Sequence, residues 1–74
     1  MNKDIVRKVI ELDHDGVCCG VDYLRDLGFD CRSYYKAINE ADDDNFDEVN
    51  LEARDNLYKE LGIYEDFIRD YENY

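Results

Sequence analysis

The residues with the clearest chemistry lie between Glu40 and Glu48, where six of nine side chains are carboxylates and none is basic. Carboxylates at this density can ligate a hard cation, or they can present negative charge to a basic surface. Residues 39–74 carry thirteen acids and three bases, whereas residues 1–38 carry seven acids and six bases. The negative charge is therefore concentrated after residue 38.

Calcium binding can be tested against the EF-hand loop, which places oxygen ligands at fixed positions, glycine at position 6 and glutamate at position 12. In the frame that starts at Asp43, Glu48 stands where glycine is needed and Arg54 where glutamate is needed. The frame that starts at Asp42 puts Phe46 at a ligand position. The sequence therefore predicts no specific calcium site.

His14, Cys18, Cys19 and Cys31 are the residues from which a zinc site or a thiol nucleophile would have to be built. Adjacent cysteines rarely both reach one tetrahedral ion, and an acidic neighbourhood disfavours the reactive thiolate. An odd number of cysteines also fits reduced thiols better than a disulfide framework. We expect no metal, no cofactor and no enzymatic activity.

Length and composition favour one small folded domain over residues 1–74. A net charge of −11 points toward disorder, but a 45% apolar fraction with seven tyrosines supplies enough material for a core. Proline is absent, and apolar residues recur at helical spacing, which predicts an all-α bundle of four to five short helices. No apolar run reaches the length of a membrane span, so we expect a cytoplasmic protein.

Glycines and polar residues set the predicted ends of the helices. Gly16, in a left-handed cap, ends the first helix, an apolar link follows, and Gly28 and Gly62 end the second and fourth helices, each with an apolar residue after it. Asp30 is suited to cap the third helix. The predicted helices are Lys3 to about Asp13, Val21 to Leu27, a third ending near Ala41, Asp47 to Leu61, and a fifth bearing Tyr64, Phe67, Ile68 and Tyr71.

Apolar positions on these helices predict the core, and Phe46 is expected to tuck into it and anchor the acidic loop. The first helix has a basic outer face that includes Lys3, Arg7 and Lys8, and we expect this face to lie against part of the acidic half. The predicted core consists of Ile5, Val9, Leu24, Leu27, Phe29, Tyr34, Ile38, Val49, Leu57, Leu61, Phe67 and Ile68.

The segment from Leu24 to Ile38 resembles two known helix pairs. Its glycine-containing turn is similar to the helix-turn-helix of small phage repressors, which would place Arg32, Ser33 and Lys36 on a recognition helix. Leu24 and the overall charge depart from that pattern.

Leu27-Gly28-Phe29, followed by Ala37-Ile38, is also similar to ubiquitin-associated domains. That resemblance implies an adaptor in which Leu27, Gly28 and Phe29 contact a ubiquitin-like surface. Each resemblance covers only a part of the chain.

Charge narrows the choice of partner. A net charge of −11 repels nucleic acid and anionic membranes and attracts basic surfaces. Carboxylates along the fourth and fifth helices can imitate a row of phosphates, which B-DNA spaces at about one per 1.7 Å of axis. The leading hypothesis is a small inhibitor, monomeric or homodimeric, that occupies the basic surface of a nucleic-acid-binding protein. It would resemble the proteins that phages use against CRISPR, restriction or transcription machinery.

The predicted partner-binding residues are Glu40, Asp42, Asp43, Asp44, Asp47, Glu48, Glu52, Asp55, Glu65, Asp66, Asp70, Glu72 and Tyr74.

Overall fold

A computed structural model describes residues 3–73, which form five α-helices, one short 3₁₀ turn and no strand. This confirms the all-α prediction. The first and fourth helices begin and end within two residues of their predicted positions, the third ends one residue before its predicted end, and the second begins four residues before its predicted start. The helices are α1 (Lys3–Asp15), α2 (Val17–Asp26), α3 (Arg32–Glu40), α4 (Phe46–Leu61) and α5 (Tyr64–Glu72), and the 3₁₀ turn is Asp43–Asn45.

The helices pack as two pairs with α5 laid across them. Helix α1 packs against α2, and α3 packs against α4. The pairs meet where α2 touches α4, and α5 contacts both α1 and α4. Helix α4 is therefore the element that joins the parts of the fold, since α2, α3 and α5 all contact it.

The core lies where these helices converge, and it contains much of the predicted set. Five predicted residues are buried, namely Val9, Leu24, Tyr34, Leu57 and Phe67. Ile5, Phe29, Ile38, Val49, Leu61 and Ile68 are half-buried. Val6, Ile10, Val21, Cys31, Ala53, Tyr58 and Ile63 complete the buried apolar set.

Two predicted core residues are exposed instead. Leu27 is 48% exposed, because α2 ends at Asp26 and the chain turns there, so that Phe29 takes the inward place. Phe46 is 41% exposed, so the prediction that it tucks into the core is wrong. It begins α4, whose buried residues start only at Ala53, so its ring projects beyond the core.

The glycine stop signals at the ends of α2 and α4 are confirmed. Gly28 has φ 98° and Gly62 has φ 78°, a left-handed backbone that residues with a side chain rarely adopt. The next residue closes each cap, since Phe29 N–H donates to Leu24 O at 3.1 Å and Ile63 N–H donates to Tyr58 O at 2.9 Å. The same device ends both helices.

The predicted apolar link after α1 is in fact the first turn of α2, and Gly16 has an extended φ of 164° in place of the predicted left-handed cap. Gly20 explains the error, because glycine ordinarily weakens a helix interior. Here its missing side chain makes room: a Cβ atom on Gly20 would lie 3.2 Å from both the Tyr58 hydroxyl and the Val9 carbonyl oxygen. Glycine, a poor helix former, occupies position 20 inside α2 because α1, α2 and α4 meet there.

Candidate functional site

The densest carboxylates surround the start of α4. We call residues 40–52 the acidic end. The chain leaves α3 at Glu40, passes through the 3₁₀ turn and enters α4 at Phe46. A reciprocal cap holds the turn, since Asp42 N–H donates to Asn45 Oδ1 at 3.0 Å and Asn45 N–H donates to Asp42 O at 3.2 Å. The cap fixes the backbone from which these side chains project.

Seven of the predicted partner-binding residues lie in the acidic end, and all seven are exposed: Glu40, Asp42, Asp43, Asp44, Asp47, Glu48 and Glu52. Within residues 3–73, none of the seven forms an ion pair with a lysine or arginine. The structure therefore brings them together as one uncompensated patch of negative charge.

Arg54, the basic residue nearest in sequence to this patch, faces the interior. Its Nη1 lies 3.1 Å from Asp13 Oδ2, and its Nη2 lies 3.0 Å from Asp55 Oδ1. The guanidinium also lies 5.1 Å from the ring centroid of Phe67. Burial lowers the pKa of Arg54, but the adjacent carboxylates of Asp13 and Asp55 outweigh it and raise that pKa above its ordinary value. The Arg54 guanidinium is therefore part of the internal packing of the fold. Asp55, a predicted site residue, is half-buried and forms an ion pair with it.

A neutral hydrogen bond connects α4 to α3 close to the acidic end. The Tyr34 hydroxyl donates to Asn50 Oδ1, and the Tyr34 ring is fully buried. Burial of the phenol raises the pKa of Tyr34 to about 12. An uncharged hydrogen bond thus connects the inward-facing side of the acidic end to α3, and the carboxylates lie on its solvent-exposed side.

The predicted site residues on α5 lie in different surroundings. Arg69 Nη2 is 3.0 Å from Asp66 Oδ1, and Arg69 Nε is 3.3 Å from Asp70 Oδ1. Asp66 and Asp70 also line an open groove of about 680 Å³ together with Lys3 and Arg7 of α1. Lys3 and Arg7 of the basic face of α1 therefore share a groove with these acids, and among the residues that the structure describes neither forms an ion pair with them. We call this the α1–α5 groove.

The remaining predicted residues lie at the edges of α5 or beyond it. Glu65 and Glu72 are exposed at the two ends of the helix. Tyr74 lies outside the described residues. The structure therefore divides the predicted carboxylates within residues 3–73 into seven at the acidic end that form no ion pair, three that are paired with an arginine (Asp55, Asp66 and Asp70), and the exposed, unpaired Glu65 and Glu72.

Sequence reasoning missed the exposed apolar residues of the acidic end. Leu51 is 47% exposed on α4, and Phe46 is 41% exposed at its start. The core positions of α4 were predicted from Val49 in steps of four residues, and Leu51 falls outside that series. This departure is the signal that could have identified Leu51 as a surface residue.

The thiols and the histidine do not converge. Cys18 is exposed, and the Cys31 thiol is buried and donates to Val21 O at 3.8 Å. Burial raises the pKa values of Cys19 and Cys31. The His14 ring stacks on Tyr71 with centroids 4.9 Å apart. Within residues 3–73, no three His, Cys, Asp or Glu side chains are placed to hold a metal ion.

In the segment from Leu24 to Ile38, which resembles two known helix pairs, polar side chains also bind carboxylates. Arg32 Nη2 donates to Asp30 Oδ2 at 2.9 Å, and the Ser33 hydroxyl donates to Glu60 Oε2 at 2.9 Å. Helix α3 packs against α4 and reaches α2 through the Tyr35 hydroxyl, which donates to Asp22. Two of the three side chains that would face DNA in a helix-turn-helix, those of Arg32 and Ser33, are therefore already bound to carboxylates.

Comparison with known proteins gave no match: no family model, no curated protein and no solved structure is similar enough to count as a relative. Of the helices between residues 3 and 73, none combines the length and the apolar run that a bilayer crossing needs.

Proposed function

We propose that this protein binds a basic surface of a nucleic-acid-binding protein through the acidic end and thereby competes with the nucleic acid. The observation that carries the proposal is the cluster of seven exposed carboxylates that form no ion pair with a lysine or arginine of residues 3–73. Mutual repulsion among such charges costs stability, and a basic partner would relieve it.

The fold supports the proposal by using Arg54, the base nearest in sequence to this patch, elsewhere. Arg54 is bound inside by Asp13 and Asp55, and Arg69 is bound by Asp66 and Asp70. An incoming lysine or arginine would therefore not compete with these two arginines for the carboxylates. Phage-type inhibition of CRISPR, restriction or transcription machinery is the biological setting that we propose, with the protein acting as a monomer or homodimer in the cytoplasm.

The test is affinity capture from the native cell with three forms of the protein, followed by mass spectrometry at low and high salt. The first form is the wild type, and the second carries Asp43→Asn, Asp44→Asn and Glu48→Gln in the acidic end. The matched control carries Glu11→Gln, Asp15→Asn and Asp26→Asn, which change the net charge equally at exposed positions outside the predicted partner-binding set.

We expect the wild type and the control to capture the same nucleic-acid-binding protein and to displace its DNA or RNA in a gel-shift assay. The acidic-end variant should lose at least tenfold in affinity, and high salt should weaken wild-type binding steeply. Equal losses in both variants, or an affinity that does not change with salt, would overturn the proposal.

A second candidate function is favoured by one observation. Leu27 is 48% exposed beside the exposed Gly28, and Phe29 is half-buried next to them. This is the segment that resembles ubiquitin-associated domains, and an adaptor role would use Leu27 as its contact. Such an adaptor would lose binding with Leu27→Ala or Phe29→Ala and would keep it in the acidic-end variant.

A further inference from the structure

Although the three thiols do not meet at one point, two of them lie side by side in the first turn of α2. Cys18 and Cys19 directly follow Val17, at which the helix begins. Cys18 is exposed and Cys19 is half-buried. A Cβ atom on Gly16 would lie 3.6 Å from Cys19 Sγ, so the absence of a side chain at position 16 helps to keep this thiol accessible.

The surroundings of the pair favour neutral thiols. Desolvation raises the pKa of Cys19, and the nearby thiol of Cys18 raises it further, as do the carboxylates of Asp15 and Asp22. The raised pKa keeps the Cys19 thiol protonated at neutral pH, and a protonated thiol reacts slowly with electrophiles that need a thiolate. The pair is therefore suited to a ligand that takes up two thiols together and removes their protons as it binds.

The backbone disfavours a disulfide between these two residues. Consecutive Cα atoms lie about 3.8 Å apart, whereas most disulfides join Cα atoms about 4.4–6.8 Å apart. A direct bond between the two sulfur atoms would therefore distort the first turn of α2. An atom that bonds to both sulfurs avoids this conflict, because the sulfurs then need not bond to each other.

We propose that Cys18 and Cys19 form a binding site for trivalent arsenic, supplied as an organoarsenous acid or as arsenite. Each thiol forms a bond from sulfur to arsenic and gives its proton to a hydroxide on arsenic, which leaves as water. Two thiols thus release two water molecules, the oxidation state of arsenic does not change, and the adduct carries no new charge. The site uses no residue of the acidic end, so the inference goes beyond the proposed function and does not depend on it.

The number and placement of the sulfurs separate arsenic from other thiophilic centres. Structural zinc needs four ligands, and within residues 3–73 no three His, Cys, Asp or Glu side chains are placed to hold a metal ion. The third thiol, Cys31, is buried and donates to Val21 O. Copper(I) or mercury(II) with two sulfurs prefers a linear arrangement, whereas trivalent arsenic is pyramidal and accepts two neighbouring sulfurs at a bent angle.

The probe is phenylarsine oxide, added to the reduced chain and followed by mass spectrometry of the intact protein. We expect one adduct per chain. Micromolar glutathione should not remove it, because the second arsenic–sulfur bond forms within one molecule at an effective concentration of about millimolar or higher. Dithiothreitol, which offers two thiols itself, should remove it. Trypsin separates residues 9–25, which contain Cys18 and Cys19, from residues 26–32, which contain Cys31, so digestion locates the adduct without any substitution.

Cys18→Ser and Cys19→Ser should each weaken binding at least tenfold in a competition titration with glutathione, because one arsenic–sulfur bond is lost. Cys31→Ala is the matched control, which removes a thiol but keeps the pair, and it should bind as the wild type does. Circular dichroism checks that each variant is folded.

Several outcomes would overturn the inference: no adduct on the wild type, an adduct on residues 26–32, or wild-type affinity in either serine variant. The arsenite arm, in which arsenite competes with phenylarsine oxide for the pair, tests whether the site needs the organic group. None of these results bears on capture of a basic partner, because the acidic-end variant keeps both thiols.

Discussion

The acidic end carries seven charged side chains, all acidic, whereas the α1–α5 groove is lined by five, of which three are basic. In the groove, Arg69 lies between Asp66 and Asp70, and Lys3 and Arg7 stand across from them. In the acidic end, seven exposed carboxylates form no ion pair with any lysine or arginine of the described residues. In the groove, cations of the protein itself lie near the carboxylates. The carboxylates of the acidic end can be neutralised only by ions from solvent or by a partner.

The difference shows that acid content alone does not identify a binding surface. Asp13 and Asp55 are as acidic as Asp43 and Asp44, yet Arg54 binds the first two as part of the fold. What separates the two kinds of carboxylate is the position of the nearest cation. Removing a cation that pairs with carboxylates should therefore change stability more than removing a charge or a hydrogen bond of the acidic end.

The largest effect is expected from Arg54→Met, which keeps the volume of the side chain but leaves Asp13 buried without its cation. Asp13 is 7% exposed, and removing one partner of a buried ion pair typically costs about 3–5 kcal/mol. The measurement is the free energy of unfolding from urea denaturation monitored by circular dichroism.

Arg69→Met is the control for the α1–α5 groove, where the ion pairs are exposed and should cost at most about 1 kcal/mol. Adding Asp13→Asn to Arg54→Met should recover part of the loss, because the uncompensated charge is then gone. Equal stabilities of Arg54→Met and Arg69→Met would remove the distinction between the two kinds of carboxylate.

A smaller effect is expected from Tyr34→Phe, which deletes the hydrogen bond to Asn50 below the acidic end. Loss of this bond should lower the free energy of unfolding by about 1 kcal/mol. Because burial raises the pKa of Tyr34 from 10.0 to about 12, the stability that it contributes is fully present below pH 10 and is lost as the pH rises toward 12.

The alkaline behaviour can be followed by the ultraviolet absorbance of tyrosinate and by circular dichroism in parallel. Tyr34→Phe should have one fewer late-titrating tyrosine than the wild type. A wild-type titration in which all tyrosines ionise together near pH 10 with the fold intact would contradict this prediction.

The smallest effect is expected from Glu52→Gln. Glu48 and Glu52 are one turn apart on α4, and like charges at this spacing destabilise a helix by about 0.2–0.5 kcal/mol. The substitution should therefore raise the free energy of unfolding by that amount at low salt, with the gain fading at high salt. Glu65→Gln is the counterpart on α5, where the acid lies in the first turn and favours the helix dipole, so a slight loss is expected. A gain in both variants would mean that the acidic end has no special strain.

Most of the fold could be predicted from local signals. Gly28 and Gly62, each followed by an apolar residue, mark the ends of α2 and α4 because a left-handed cap needs glycine. The start of α2 could not be predicted from the sequence. Glycine is favoured at position 20 because Val9 and Tyr58 approach it closely, and they do so only in the folded state. Local propensity and tertiary packing conflict at that position, and packing prevails.

The candidate site was predicted in its charge but not in its structure. The run of acids between Glu40 and Glu48 can be read from the sequence alone, and so the acidic end could be predicted. The pairing of Arg54 with Asp13 joins residues 41 positions apart, and no sequence pattern indicates it. The exposure of Phe46 depends on where the core ends along α4, which the packing of α2, α3 and α5 determines.

The crossing of α1, α2 and α4 also offers a way to recognise distant relatives. A methyl group at position 20 would lie 3.2 Å from both a backbone carbonyl oxygen and a buried phenol, so a neighbour would have to shift by a few tenths of an ångström, and homologues with this arrangement should favour glycine at 20 while they keep a large ring at 58. A paired Gly and Tyr, 38 positions apart, would therefore remain as a marker of descent after the charged surface had changed beyond recognition.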